Sequence, residues 1–272
     1  MTALICGMSG VIIASVLLAQ RGRAMFIRRI PGLSAIEEAV GRATEMGRPI
    51  FFSPGLDGIS IVTLQALAIL SYTVRLAATQ GARVIVGLRD PTVLPVAEES
   101  VREAYTAVGR SEDHRPEDVR FVSDDQFAYA LGTVGLMQRE KVATNFFFGG
   151  FYAEALILTE NGQALGALQV AGCPDPTQIP FFIATCDYVV IGDEYYAATA
   201  YLTREPTLTG SLVGQDISKG VIIALIVLGI AIATMLGDDA THNVLVQLLA
   251  NGEAGVIQTI GGFIRFFTGR GG

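Results

Sequence analysis

The stretch TNFFFGGFYAEA, residues 144–155, joins an aromatic run to a glycine pair and then to a segment of helical character. It reads as a buried strand, a sharp turn and a helix with Glu154 in its first turn. Strand, turn and helix in succession are the unit of a parallel sheet, because parallel neighbours need a crossover between them. The pattern recurs on both sides. RPIFFSPG, ARVIVGLRD and VRFVS precede it as apolar strands; ALQVAG and DYVVIGDE follow it. Near-continuous apolar strands indicate a sheet covered on both faces.

The spacing therefore predicts a mostly parallel six-stranded sheet in a doubly wound, Rossmann-like α/β domain over residues 24–210, with right-handed crossovers. Ser34 and Glu37 form a capping box that opens a helix to about Met46, and Ser123 with Gln126 forms another that leads a helix to about Glu140. The segment 58–80 is apolar almost all round until Arg75, which places it in the core as a buried helix. A membrane hairpin is the alternative there. SEDHRPED, 111–118, reads as a solvated loop.

Two uncharged runs flank this domain. Residues 1–20 carry no charge and are about the length needed to cross a hydrocarbon core, roughly 20 residues. No basic region precedes them, and Arg21, Arg23, Arg28 and Arg29 follow. That is the pattern of an uncleaved anchor with its N-terminus outside and the following chain in the cytoplasm. Residues 220–237 form the second run, between Lys219 and the pair Asp238 and Asp239, as expected for a crossing outward. Both runs predict an integral cell-membrane protein with a cytoplasmic α/β domain flanked by transmembrane helices. Val11, Ile12, Ile13, Ile222, Ile223 and Ile226 are the candidate lipid-facing residues. PTLTGSLVGQDISKG, 206–220, reads as a polar linker into the second span. The tail, 243–270, predicts an amphipathic interfacial helix with Phe263 and Phe267 on its apolar face, lying on the membrane or against a neighbour.

Composition agrees. Hydrophobic residues make up 51% of the 272 and charged residues 17%, against roughly 25% charged in an average soluble domain; the mean hydropathy is +0.48. A net charge of -7 with no basic cluster excludes nucleic acid as a partner on electrostatic grounds. Cys6, Cys173 and Cys186 form no C-x-x-C pair, which excludes a disulfide framework or a zinc site and fits a reducing compartment.

In a doubly wound sheet, ligands bind beyond the carboxyl ends of the strands. Each strand-end loop carries acid: Asp57, Asp90, Asp124 with Asp125, Glu154, Asp175, and Asp193 with Glu194. These acids either cap helices or form a rim able to hold a divalent cation. Asp57, Asp90 and Asp124 are the metal candidates, and Gly55, Asp57, Gly149, Gly150 and Gly172 the ligand-binding candidates. Glu154 makes the 149–150 turn a poor phosphate cradle, because the helix N-terminus already faces a carboxylate. No dinucleotide fingerprint, phosphate-binding loop or nucleophile elbow is present. His114 and His242 are assigned to opposite sides of the membrane, which removes a dyad built on both. Cys173 reads as a small buried thiol. No catalytic residue and no cofactor is assigned.

FFFGGFYAEALILTE, 146–160, and the segment 172–216 from GCPDPTQIPFF to SLVGQD resemble a family of membrane-anchored bacterial and archaeal proteins known as a domain of unknown function. The resemblance implies a tethered α/β domain and transfers no activity. The expected function is a membrane-anchored scaffold that assembles into a homo-oligomer. Its partners are the lipid bilayer, further copies of itself and other membrane proteins. A small-ligand or divalent-metal module, or an enzyme using the acidic loops, is the alternative. Small residues in the spans, Gly7, Ser9, Gly10, Gly229, Ala231 and Ala233, would let helices approach.

Overall fold

The computed structural model describes residues 2–21, 31–203 and 206–250. The chain divides into two compact units, Met1–Ile27 with Glu205–Gly272, and Arg28–Arg204.

The second unit is an α/β fold. Its strands are β1 (Ile50–Gly55), β2 (Val84–Leu88), β3 (Val119–Phe121), β4 (Thr144–Gly150), β5 (Leu168–Cys173) and β6 (Tyr188–Ile191). All pairings are parallel, in the order β3-β2-β1-β4-β5-β6. The strand order reverses direction between β1 and β4, which makes their carboxyl ends the switch point of a doubly wound, Rossmann-like sheet.

Alternation along the strands decides the packing. Ile50, Phe52, Phe146, Phe148, Val84 and Val86 point to one face, where α2 (Pro31–Met46), α3 (Ile61–Gln80), α4 (Leu94–Ala107) and α8 (Asp193–Thr203) cover them. Phe51, Ile85, Phe147 and Ala171 point to the other, beneath α5 (Gln126–Glu140), α6 (Glu154–Ala164) and α7 (Ile179–Thr185). Phe52 lies 6.1 Å from Phe148 on the first face; Phe151 meets Phe147 at 6.1 Å and Phe182 at 5.4 Å, edge to face, on the second. Burying each such ring contributes roughly 1.5–3 kcal/mol, so FFFGG stabilises both layers at once.

Several helix starts differ from the sequence reading. Helix α2 begins at Pro31, so Ser34 lies inside it rather than capping it; proline is favoured in a first turn, where its missing N–H costs nothing. Helix α5 is capped by Asp125, whose carboxylate accepts from the amides of Phe127 and Ala128 at 3.0 and 2.8 Å. Ser123 instead accepts from the Asp125 amide. The segment 58–80 is a core helix from Ile61, capped by Ser60, with nine buried residues. SEDHRPED holds two short 3-10 turns, and its Asp118 is buried rather than solvated.

The first unit contains α1 (Thr2–Gln20) and α9 (Pro206–Ala250). The segment 206–220, expected as a linker, is the opening of this single 45-residue helix. Of the tail expected over 243–270, residues 243–250 continue α9, and the rest, with Phe263 and Phe267, lies outside the described residues.

Candidate functional site

Two places could carry function: the switch point of the sheet and the pair of apolar helices.

At the switch point the glycines accommodate the chain itself. Gly55 pairs with Gly150 across a register shift, and the Leu56 amide donates to the Gly150 carbonyl at 2.8 Å. Gly55 has φ +88° and Gly149 φ +148°, conformations that favour glycine. A Cβ on Gly55 would stand 2.5 Å from the Gly150 carbonyl oxygen, and one on Gly149 would strike the Pro54 carbonyl. A Cβ on Gly150 would overlap the Asp57 carboxylate, which fills the space over that turn. Gly172 lies elsewhere, inside β5 beneath the Phe148 and Tyr195 rings.

Four of the rim acids, Asp57, Asp90, Glu154 and Asp175, accept hydrogen bonds from neighbouring groups. Asp57 accepts from the Tyr152 hydroxyl at 3.2 Å. Its charge, together with that bond, raises the Tyr152 hydroxyl above its ordinary pKa. Glu154 is fully buried and accepts from the Tyr152 amide at 2.8 Å and from Gln126 Nε2 at 2.5 Å. Asp90 accepts from both the hydroxyl and the amide of Thr92, at 2.6 and 2.7 Å, and these bonds hold its carboxyl below the usual range. Asp175 does the same with Thr177 at 2.8 Å for each bond. The Asp124 carbonyl accepts from Arg89 Nε at 2.8 Å, and Arg89 Nη1 reaches the Leu56 carbonyl at 3.0 Å, tying three loops together. Among the described residues, no three His, Cys, Asp or Glu side chains gather as a metal set. Asp57 lies over Gly150 and Asp90 beside Gly58, while Asp124 belongs to the β3 side. Cys173 is buried, and burial raises its thiol.

Sequence reasoning missed Tyr152, whose partner lies 95 residues away. It also missed the buried pair beneath the switch point. Tyr129 and Ser53 share a hydrogen bond of 2.7 Å, Tyr129 donates to the Gly87 carbonyl at 3.1 Å, and burial pushes the Tyr129 hydroxyl up to about 12. No motif marks such pairs; only the sheet order brings them together.

The helix pair is built on small residues. Gly210, Gly214 and Ser218 repeat every fourth residue along one face of α9. A Cβ on Gly210 would stand 2.6 Å from the Val16 Cα of α1, and one on Gly214 would stand 2.8 Å from the Ile12 Cα. Ser15, Ala19 and Ser218 are buried in this contact, and Ser218 Oγ bonds the Gly214 carbonyl at 2.9 Å. The glycines in contact are those of the supposed linker, whereas Gly7 and Gly10 meet nothing within 4 Å. The small-x-x-x-small spacing of 210, 214 and 218 was the signal available in the sequence.

Further along α9 the surface is apolar all round. Val221, Ile223, Leu225, Ile226, Val227, Leu228 and Ile230 are each more than half exposed, and Ile222 is half-buried. On α1, Ile13 is exposed and Val11 and Ile12 are half-buried. By length and composition two helices, Ile61–Gln80 and Thr209–Ala231, could cross a membrane; the first is the core helix α3.

No curated protein and no solved structure matches the chain. The family model described as Domain of unknown function (DUF6754) matches residues 1–244. With nearly its whole length covered, this chain belongs to the DUF6754 family.

Proposed function

We propose that the protein is a membrane-anchored α/β scaffold that assembles with copies of itself, held by the α1–α9 pair. The observation that carries this reading is the unbroken apolar surface of α9 from Val221 to Ile230. Left in water, each such side chain would forgo roughly 1.5–3 kcal/mol of burial; lipid or a neighbouring apolar helix removes that cost. The close α1–α9 contact adds support, because glycine faces are how helices associate where lipid offers no hydrophobic drive. The orientation, with the N-terminus outside and the α/β unit in the cytoplasm, rests on Arg21, Arg23, Arg28, Arg29 and Lys219 on one side and Asp238 and Asp239 on the other.

Other membrane proteins are further candidate partners. The alternative, a divalent-cation or small-ligand module at Asp57, Asp90 and Asp124, draws less support, since the Asp57 and Asp90 carboxylates are engaged by Tyr152 and Thr92.

Alkaline carbonate extraction of native membranes tests the anchor: the full chain stays in the pellet. Release into the supernatant overturns the reading. Light scattering of the detergent-solubilised chain tests assembly, which fails if the mass is that of one 28.8 kDa chain.

A further inference from the structure

At the amino end of β2, away from the switch point, the α/β unit carries a cavity of about 220 Å³ between the end of α3, the end of α4 and the 110–115 loop. Ala78, Gly81 and Ala82 give it a floor without a large side chain. Gly81 ends α3 at φ +76°, and a Cβ there would meet nothing within 4 Å, so the space beside it is open. Tyr105 of α4 forms a wall. It is 6% exposed, and its hydroxyl has no hydrogen-bond partner among the described residues. Burial raises that hydroxyl above its ordinary pKa, as do the charges of Asp118 and Asp113, while those of Arg115 and Arg83 lower it. It is thus an O–H donor at neutral pH, within reach of the field of Arg115. The His114 ring stands 5.8 Å from that of Tyr105, and its buried Nε2 also lacks a partner. Polar groups of buried residues are normally satisfied, so this side of the unit is short of hydrogen-bond partners.

The cations fix the charge that fits. Arg83 is held by Asp118 and Glu140, which Arg120 also reaches, so two bases and two acids balance there. Arg110 pairs with Asp113 at 3.1 Å, with both side chains about half exposed, and such a surface pair is weak enough to exchange. Arg115 makes no ion pair among the described residues. Pro116 confines it to extended backbone, φ -120° and ψ 109°, between two 3-10 turns, which presents it at the cavity. Arg110 and Arg115 against Asp113 leave one positive charge. That balance suits a monoanion; a dianion would also meet Asp113 and the negative end of α3. A guanidinium fork matches a carboxylate. The small-residue floor and the Tyr105 ring suit a flat organic body, and the volume lies below the roughly 300–1,000 Å³ of drug-sized pockets.

We propose that this cavity binds a small organic monocarboxylate, its carboxylate held by Arg115 and the Tyr105 hydroxyl and its body laid on Ala78, Gly81 and Ala82. Arg110 exchanges Asp113 for the same carboxylate when the site fills. This site lies apart from the acidic strand-end loops and does not depend on the anchoring reading.

The test titrates the detergent-solubilised full chain with benzoate, followed by ligand-observed NMR. Benzoate binds saturably with a Kd of about 1 mM or tighter, the range open to so small a ligand. Benzamide, the neutral isostere, and inorganic phosphate each bind at least about tenfold more weakly. Arg115 is exposed, so Arg115→Gln leaves the melting temperature unchanged while weakening benzoate at least about tenfold. Tyr105→Phe weakens it severalfold; should that variant fail to fold, Arg115→Gln and benzamide still decide. No saturable benzoate binding, equal binding of benzamide or phosphate, or undiminished binding by Arg115→Gln overturns the proposal.

Discussion

Asp57 and Gly150 show why a glycine pair after a strand is not by itself a ligand cradle. The space that Gly150 leaves open is taken by the Asp57 carboxylate, which is fixed by the Tyr152 hydroxyl. At Gly149 the obstacle is backbone, the Pro54 carbonyl, and φ is +148°. The two positions should respond differently to the same small change. Gly149→Ala has nothing to displace but main chain and costs about 3 kcal/mol, or roughly 6–12 °C in the melting temperature of a unit this size. Gly150→Ala displaces a side chain and costs about 2 kcal/mol. Adding Asp57→Ala to Gly150→Ala recovers most of that loss, while Asp57→Ala does nothing for Gly149→Ala. Thermal melts of the four variants decide it, and equal losses at both glycines with no recovery would show that the carboxylate does not fill the turn. The sequence marked Gly55, Asp57, Gly149, Gly150 and Gly172 as strand-end candidates; the structure brings the first four together at the switch point and leaves Gly172 inside β5. The sequence could not show that Asp57 closes the switch point, because β1 and β4 are brought together by a register that no local pattern encodes.

Elements are tied together most firmly at the opposite edge of the sheet. Arg83, just before β2, binds Asp118 Oδ1 at 2.5 Å and Oδ2 at 2.8 Å and Glu140 at 2.9 Å; Arg120 of β3 reaches Glu140 at 3.2 Å. One cluster thus joins β2, the turn before β3 and the end of α5. Burial would raise the Glu140 carboxyl, but the hydrogen bond from Arg83 and the charges of Arg83 and Arg120 pull it below its ordinary 4.5. A carboxyl with a depressed folded pKa adds stability above its unfolded pKa and loses it as pH falls through the folded value. Melting temperature should therefore decline on acidification below about pH 4.5. Arg83→Met costs about 3 kcal/mol at neutral pH by leaving the Asp118 side chain, 7% exposed, without its main cation, and it flattens the acid limb that belongs to Glu140. Melts from pH 7 to pH 3 check both; an acid limb as steep in the variant as in the parent would refute the assignment. The strands behind this cluster were legible because both sheet faces are covered and the runs are apolar throughout. Asp118 was not, since its charged neighbours disguise a residue that the β2–β3 pairing buries. The first turns of α9 were hidden for a related reason: Gly210, Gly214 and Ser218 look like linker composition, yet they are what lets the helix approach α1.

At the scale of the whole molecule, the two units obey different solvents. The α/β unit buries alternate strand faces under seven helices. In the other unit, α9 exposes large aliphatic side chains on every side past Gly220. A chain in which one unit solves its hydrophobic burial internally and the other does not should be separable between them. The fragment 28–204, expressed without α1 and α9, is expected to stay in the supernatant after high-speed centrifugation. It is expected to melt in one cooperative step, as a domain with its own core does. The full chain is expected to sediment with membranes. The exposed residues Ile59, Ile61 and Leu64 at the start of α3, and Phe127 and Leu131 on α5, set the limit on this expectation. If those apolar faces are covered by neighbouring copies in the assembly, the free fragment will self-associate as its concentration rises while keeping its cooperative melt. A fragment that shows no cooperative melt at any concentration would mean that the α/β fold depends on its helices in the other unit, and that the division into two units is geometric rather than energetic.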